Sequence, residues 1–181
     1  MFVGNPQKFA IESEISEAYA SESQFGLGYF NIHILGKRYG VCKHDASLLG
    51  CSYSEVVQRV ERRGEHTIRF DGRSDGYGIV KGFLDAYYGE RVDPEAVDEI
   101  LLQRILWAPD GDAAFDDGGH VFHFDVCDKV RLLGCVNNQG EPEQFAELWL
   151  QADDFYGVLI AWRDAFFESW RRALVERLRT H

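Results

Sequence analysis

The chain has 181 residues and a formal net charge of −11, and 45% of its residues are hydrophobic. This length fits a single domain, and this composition can bury a substantial core. The charge argues against binding to nucleic acid or to an anionic membrane, because both need an excess of Lys and Arg to contact phosphates. We therefore expect a cationic partner.

The sequence also bounds the location of the protein. No segment reaches the roughly 18 consecutive apolar residues that span a bilayer, and the N-terminus lacks the pattern of a secretory signal. We expect a cytoplasmic protein. Its four cysteines have no zinc-like spacing, and we interpret them as reduced residues that pack in the interior. They are Cys42, Cys51, Cys127 and Cys135.

The first part of the chain predicts β-structure. Alternating apolar residues from Phe9 to Ile15 predict a strand with one buried face. The run 27–42 predicts a hairpin that turns at Gly36 and Lys37. His33 falls on the less apolar face of this hairpin, and we interpret it as an ordinary strand side chain.

A helix is predicted over residues 53–63. Ser52 with Glu55 three residues later is a capping-box pattern, and Gly64 marks the end of the helix. The last turn carries three arginines, which suit the negative end of the helix dipole. We interpret them as a solvated helix end rather than a phosphate site: Arg59, Arg62 and Arg63.

Two further helices follow. Apolar residues at spacings of three and four predict one over residues 77–88. Asp93 followed by Pro94 is a helix start, which predicts a second helix over residues 94–105.

The C-terminal part predicts the longest helix, over residues 154–175, with Asp153 or Asp154 as the N-cap. Its apolar residues recur over about five turns, and such an aromatic stripe is typical of a core face. The stripe consists of Phe155, Leu159, Trp162, Phe166, Trp170 and Leu174.

Residues 120–126 and 129–136 predict a second hairpin. His120 and His123 differ by an odd number of positions, so they lie on opposite faces of the first strand. Together with the preceding elements, these strands predict a single α+β domain over residues 1–181. We expect a mostly antiparallel sheet of about five or six strands, packed by several helices including the long C-terminal one.

Negative charge is concentrated in residues 93–128, which carry ten acidic side chains and one arginine, a formal charge of −9. Four of the acids fall in the loop 110–117. Clustered carboxylates can bind calcium, but the spacing does not fit an EF-hand. A two-carboxylate hydrolytic site is a further alternative. We favour a solvated surface or a protein-binding patch.

Four segments carry a family resemblance: MFVGNPQKFAIESEI, GYFNIHILGKRYGV, WAPDGDAAFDDGGHVFHFDV and ADDFYGVLIAWRDAF. Together they resemble the immunity protein 42 family of bacterial polymorphic toxin and contact-dependent inhibition systems. The resemblance runs in order over nearly the whole chain. It implies a cytoplasmic antitoxin that binds the C-terminal domain of a cognate toxin and has no catalytic task, cofactor or metal of its own.

The charge favours a basic toxin, such as a nuclease, that is blocked by stoichiometric occlusion. The alternative is an acidic metal-binding or hydrolytic enzyme that uses the Asp110–Asp117 cluster. Our hypothesis for the toxin-facing residues is the acidic set Asp98, Glu99, Asp110, Asp112, Asp116 and Asp117.

Overall fold

The computed structural model of the protein describes residues 1–67, 75–89, 98, 100–107 and 113–179, without the side chain of Leu178. The first antiparallel sheet contains β1 Phe2–Gly4, β2 Phe9–Ala18, β3 Gly26–Ile34, β4 Lys37–Tyr39 and β5 Ser47–Leu48. The second contains β6 Leu106–Trp107, β7 Gly119–Val126, β8 Lys129–Asn138 and β9 Glu141–Gln151. The helices are α1 Leu49–Glu61, α2 Gly76–Tyr88 and α3 Ala152–Arg179, with a short 3-10 turn at Ala113–Phe115.

The α+β class, the antiparallel pairing and the long C-terminal helix are confirmed. The strands divide into two sheets, whereas the sequence predicted one sheet. One face of each sheet contributes to a shared core with α1 and α3, and α2 covers the other face of the second sheet. Alternation along a strand specifies which side chains are buried, but it does not specify the sheet to which a strand belongs.

Helix α3 packs along the shared core, and its predicted apolar stripe is buried from Phe155 to Trp170. The indole of Trp162 donates to Ser13 Oγ at 3.0 Å, and that of Trp170 donates to the Tyr19 carbonyl at 2.9 Å. The helix begins two residues before the predicted start. It also continues past residue 175, and there Arg177 pairs with the Glu17 carboxylate of β2 at 3.2 Å.

Helix α1 begins earlier than predicted, and the capping-box prediction is wrong. Leu48 is the N-cap residue and makes no side-chain cap, while Ser52 and Glu55 lie inside the helix and are buried. The earlier start is held by the Gly50 N–H, which donates to the Gln24 carbonyl at 2.9 Å. The Cβ of any other residue at position 50 would lie 2.1 Å from the carbonyl oxygen of Ser23.

The first hairpin turns at Leu35 and Gly36, one residue before the predicted position, and both have positive φ. Such a two-residue turn matches the twist of the strands that it joins. His33 lies on the predicted face, with Nε2 2.9 Å from the Glu12 carboxylate. On β4, Tyr39 packs on Gly134 of the second sheet and donates to a β9 carbonyl at 2.7 Å, so this hairpin links the two sheets.

The predicted helix 94–105 is described only in part. Asp98 and residues 100–102 are helical, and residues 94–97 and 99 lie outside the described residues. The end of the prediction is wrong, because Arg104 has a φ of 51° and the chain becomes extended at Leu106. Ile100 and Ile105 are buried in the core beneath α2.

All four cysteines are free, and Cys135 is buried. The interpretation as packing residues is wrong for the other three, which are exposed: Cys42, Cys51 and Cys127. Cys127 occupies the turn between β7 and β8 with a φ of 57°, and it is exposed there. In the part of the chain that the structure describes, no helix is both long and apolar enough to cross a membrane.

Candidate functional site

The interior contains a polar network centred on Arg59 of α1, whose side chain is fully buried. Its guanidinium donates to the carbonyls of Arg104 and Leu106 at 2.8 and 2.9 Å. It also lies 3.0 Å from the Glu55 carboxylate and 4.3 Å from the centre of the Trp107 ring. These contacts replace much of the hydration that a buried cation loses. Burial lowers the pKa of Arg59 to about 10, and Glu55 opposes that shift, so the side chain stays charged at neutral pH.

His123 of β7 adjoins this arginine and is also fully buried. Arg59 donates to His123 Nδ1 at 3.1 Å, which leaves the ring proton on Nε2, 3.3 Å from Asp125. Burial lowers the pKa of His123 to about 3, and the hydrogen bond to Asp125 opposes that shift. The imidazole is therefore neutral at physiological pH.

Asp125 joins β7 to the C-terminal helix and to the chain that follows α1. It accepts the hydroxyl of Tyr156 at 2.9 Å and the backbone N–H groups of Gly64 and His66 at 2.8 and 3.2 Å. Burial alone would raise the pKa of this carboxyl, but the hydrogen bonds from His123, Tyr156 and the backbone lower it to about 2. The ionised carboxylate is thus a fixed structural acceptor.

This network contains a histidine beside a carboxylate and a tyrosine, a combination that also occurs in catalytic sites. Here the His123 ring has no exposed surface, and both of its nitrogens already have partners. No substrate atom can reach a base that is enclosed in this way. We conclude that the network fixes the positions of α1, β7 and α3.

The sequence interpretation of the α1 arginines is wrong for Arg59. Arg62 and Arg63 do lie at the surface, where they pair with Glu65 and Asp153. The sequence held a signal for the buried arginine, since Arg59 follows Val56 by three residues and so shares the apolar face of the helix. The prediction for His120 and His123 is confirmed, because His120 contacts Tyr88 of α2 on the opposite face of β7.

The structure describes three of the six residues that were predicted to form the acidic toxin-facing patch. Asp98 and Asp116 are exposed, and Glu99, Asp110 and Asp112 lie outside the described residues. Asp117 accepts the N–H groups of Gly119 and Gly40 at 2.9 and 3.1 Å, so its carboxylate fixes the turn before β7.

Metal binding was the alternative for this loop. Within the described ranges, no three His, Cys, Asp or Glu side chains are grouped closely enough to hold a metal ion. Asp116 and Asp117 are therefore not joined by a third described ligand, and the other two acids of this loop, Asp110 and Asp112, lie outside the described residues.

Comparison with known proteins identifies the family. The family model for immunity protein 42 matches residues 1–165. No curated protein matches the chain. A crystal structure of CdiI from Burkholderia dolosa AUO158 superposes with a TM-score of 0.58 at 17% sequence identity, covering 93% of this chain and 99% of that one. At this identity the superposition shows a shared fold, and the family model covers most of the sequence. The chain belongs to the immunity protein 42 family.

Proposed function

We propose that this immunity protein neutralises a basic toxin domain in the cytoplasm by binding it one-to-one and covering its working surface. It catalyses no reaction in this role. The observation that carries the proposal is the net charge of −11 on a member of an immunity protein family. The histidine of its most enzyme-like group of side chains is enclosed in the core, so we assign function to the surface.

The chemistry of nucleases supports the choice of a basic partner. An enzyme that cuts nucleic acid needs Lys and Arg around its active site to bind phosphates. An acidic protein is steered toward the same side chains and can occlude them. In this proposal the CdiI neighbour is a precedent for the fold of an immunity protein.

We assign the electrostatic steering of the toxin to the acidic region that includes Asp98 and Asp116. Glu99, Asp110 and Asp112 remain part of this hypothesis on sequence grounds. Asp117 contributes charge, but its carboxylate is already engaged in fixing the turn before β7. It is therefore the least suitable of the six positions for a mutational test.

Neutralisation is tested by growth. Bacteria that express the toxin domain encoded next to this gene should stop growing, and co-expression of this protein should restore growth. The two proteins should also co-purify as a one-to-one complex that lacks toxin activity. If the toxin remains active in the purified complex, occlusion is the wrong mechanism, and growth arrest that persists with this protein present would rule out the pairing itself.

Steering is tested by association kinetics. Replacing Asp98, Asp110, Asp112 and Asp116 by Asn should slow association about tenfold at low ionic strength and flatten its salt dependence, because exposed charges act mainly on the on-rate. Stopped-flow measurements from about 20 to 300 mM salt would show this. A charge-matched control changes four exposed acids elsewhere: Glu22→Gln, Asp45→Asn, Glu61→Gln and Asp154→Asn. Equal slowing in both variants would show that net charge acts without this patch.

A further inference from the structure

An exposed aromatic surface lies where helix α2 meets the edge strand β9. We call it the α2–β9 patch and define it by Tyr77, Phe145, Glu147 and Trp149. The last three alternate along β9 and so project from one face of the strand. Tyr77, in the first turn of α2, packs edge-on against Phe145 with ring centres 5.6 Å apart. The patch is therefore continuous from the helix to the strand.

Trp149 differs from the other tryptophans of the chain in its exposure. Trp149 is 40% exposed, whereas the other three tryptophans are at most 5% exposed. Tyr77 is 42% exposed. Single apolar residues at a surface need no explanation, but exposed Trp and Tyr side chains on one surface are the composition of binding hot spots.

The exposed indole is held in a fixed orientation. Its Nε1 donates to Glu147 at 3.1 Å, and the same carboxylate oxygen lies 2.8 Å from the Arg131 guanidinium. Arg131 is nearly buried and lies 5.3 Å from the centre of the Trp149 ring. A side chain that is already ordered loses little conformational entropy when it binds a partner.

Charge around the patch favours a cationic partner. Lys81 of α2 lies between Asp85 at 2.5 Å and Glu141 at 3.5 Å, so its charge is more than balanced. Asp75 caps the start of the same helix and is exposed. Glu147 is partly exposed beside the indole, where Arg131 balances its charge, and Lys37 adds a cation at the Phe145 carbonyl, so the excess of negative charge lies on the α2 side of the patch.

The acidic region lies at the end of the second sheet opposite to Trp149. The Gly118 carbonyl, just after Asp116, accepts the N–H of Asn137 at 2.8 Å. The β8–β9 turn follows at once, and it leads to Glu141 at the rim of the patch. Trp149 lies eight residues further along β9, opposite Arg131, so a basic partner that is steered to Asp116 and contacts Trp149 spans the length of the second sheet.

From these observations we propose that the α2–β9 patch is the contact surface for the toxin, with a toxin Arg or Lys packed on the exposed face of Trp149 and paired with Glu147. This assignment rests on the proposed function and makes it specific. Charge provides the approach, and the ordered aromatic side chains provide the contacts that slow dissociation.

The surface is tested directly by fluorine NMR. The protein is labelled with 5-fluorotryptophan, which gives one resonance for each of its four tryptophans, and Trp149→Phe identifies the one that belongs to Trp149. Addition of the unlabelled toxin domain should shift this resonance and reduce its solvent isotope shift between H2O and D2O. An unchanged Trp149 resonance in a sample where the complex has formed would overturn the assignment.

Affinity provides the second measurement. Trp149→Ala should raise the Kd for the toxin domain at least about 30-fold, mainly through faster dissociation. Phe2→Ala is the matched control, since Phe2 is 48% exposed on the first sheet and should leave the Kd within about threefold. Thermal unfolding of both variants confirms that they are folded. If wild-type protein binds and neutralises the toxin but Trp149→Ala binds equally well, the surface is wrong and the antitoxin role stands, whereas absence of wild-type binding removes the role itself.

Discussion

Arg59→Met is expected to lower the free energy of unfolding by about 3–5 kcal/mol, which is a large fraction of the stability of a domain of this size. Methionine keeps most of the length of the side chain, so the cavity is small. The loss comes from the polar partners that remain. Glu55 keeps a buried carboxylate without its Arg59 partner, and the carbonyls of Arg104 and Leu106 lose their donors.

Urea denaturation at pH 7.5 measures this loss. Arg62→Met is the matched control in the same helix, because Arg62 pairs with Glu65 at the surface and should cost under about 0.5 kcal/mol. Combining Arg59→Met with Glu55→Gln should cost less than the sum of the two single changes, since Glu55 without Arg59 keeps only its pair with Arg104 at 2.7 Å, and the neutral Gln does not need the missing guanidinium. A loss below about 1 kcal/mol for Arg59→Met would show that the buried guanidinium contributes little net stability.

Local periodicity accounts for the parts of the fold that could be predicted. The stripe of α3 follows the helical repeat, and the buried face of β3 follows the repeat of a strand, so both were assigned correctly. The start of α1 could not be assigned from its capping residues. It is set by the contact of Gly50 with the backbone near Ser23, which no nearby sequence pattern encodes.

The division into two sheets is also a long-range property. Tyr39 bridges β4 to Gly134 and β9, more than 90 residues further along the chain. The sequence gives no pairing information at that separation. It could identify Gly134 as a residue that interrupts a strand, but not the ring that occupies the space in place of a side chain.

The candidate site was predicted through charge alone. Charge density is readable in a sequence, and it was the basis for the hypothesis that residues 93–117 face a cationic partner. Exposure of an aromatic residue is not readable in the same way, because Trp149 lies in a strand whose apolar residues are otherwise partly buried. The two proposed contributions to binding differ in kind, since a patch of acids changes the rate of encounter and ordered aromatic side chains change the lifetime of the complex.

Lowering the pH should reduce the free energy of unfolding at pH values well above those at which the carboxylates titrate. His123 has a pKa of about 3 in the folded protein against an ordinary value of 6.5, because burial disfavours the imidazolium and Arg59 lies beside it. Burial lowers the pKa of His66 in the same direction. Above pH 6.5 both the folded and the unfolded protein hold a neutral imidazole, so the full stability is present. As the pH falls below 6.5, the unfolded chain gains a proton that folded His123 does not accept until the pH approaches 3, and stability is lost over that interval.

The slope of the unfolding free energy against pH shows whether His123 is the titrating group. Each such histidine contributes a loss of about 1.4 kcal/mol per pH unit, and urea denaturation at pH 7.5, 6.5, 5.5 and 4.5 measures it. The series ends at pH 4.5 because Asp125, with an ordinary value of 3.8, begins to contribute below that. His123→Gln should be less stable than wild type at pH 7.5, yet it should lose about 2 kcal/mol less between pH 6.5 and 4.5. His44→Gln, which replaces a histidine side chain that is 80% exposed, is the matched control. A wild-type slope in His123→Gln would mean that the buried imidazole is already protonated in the folded protein, and Arg59 could not then donate to its Nδ1.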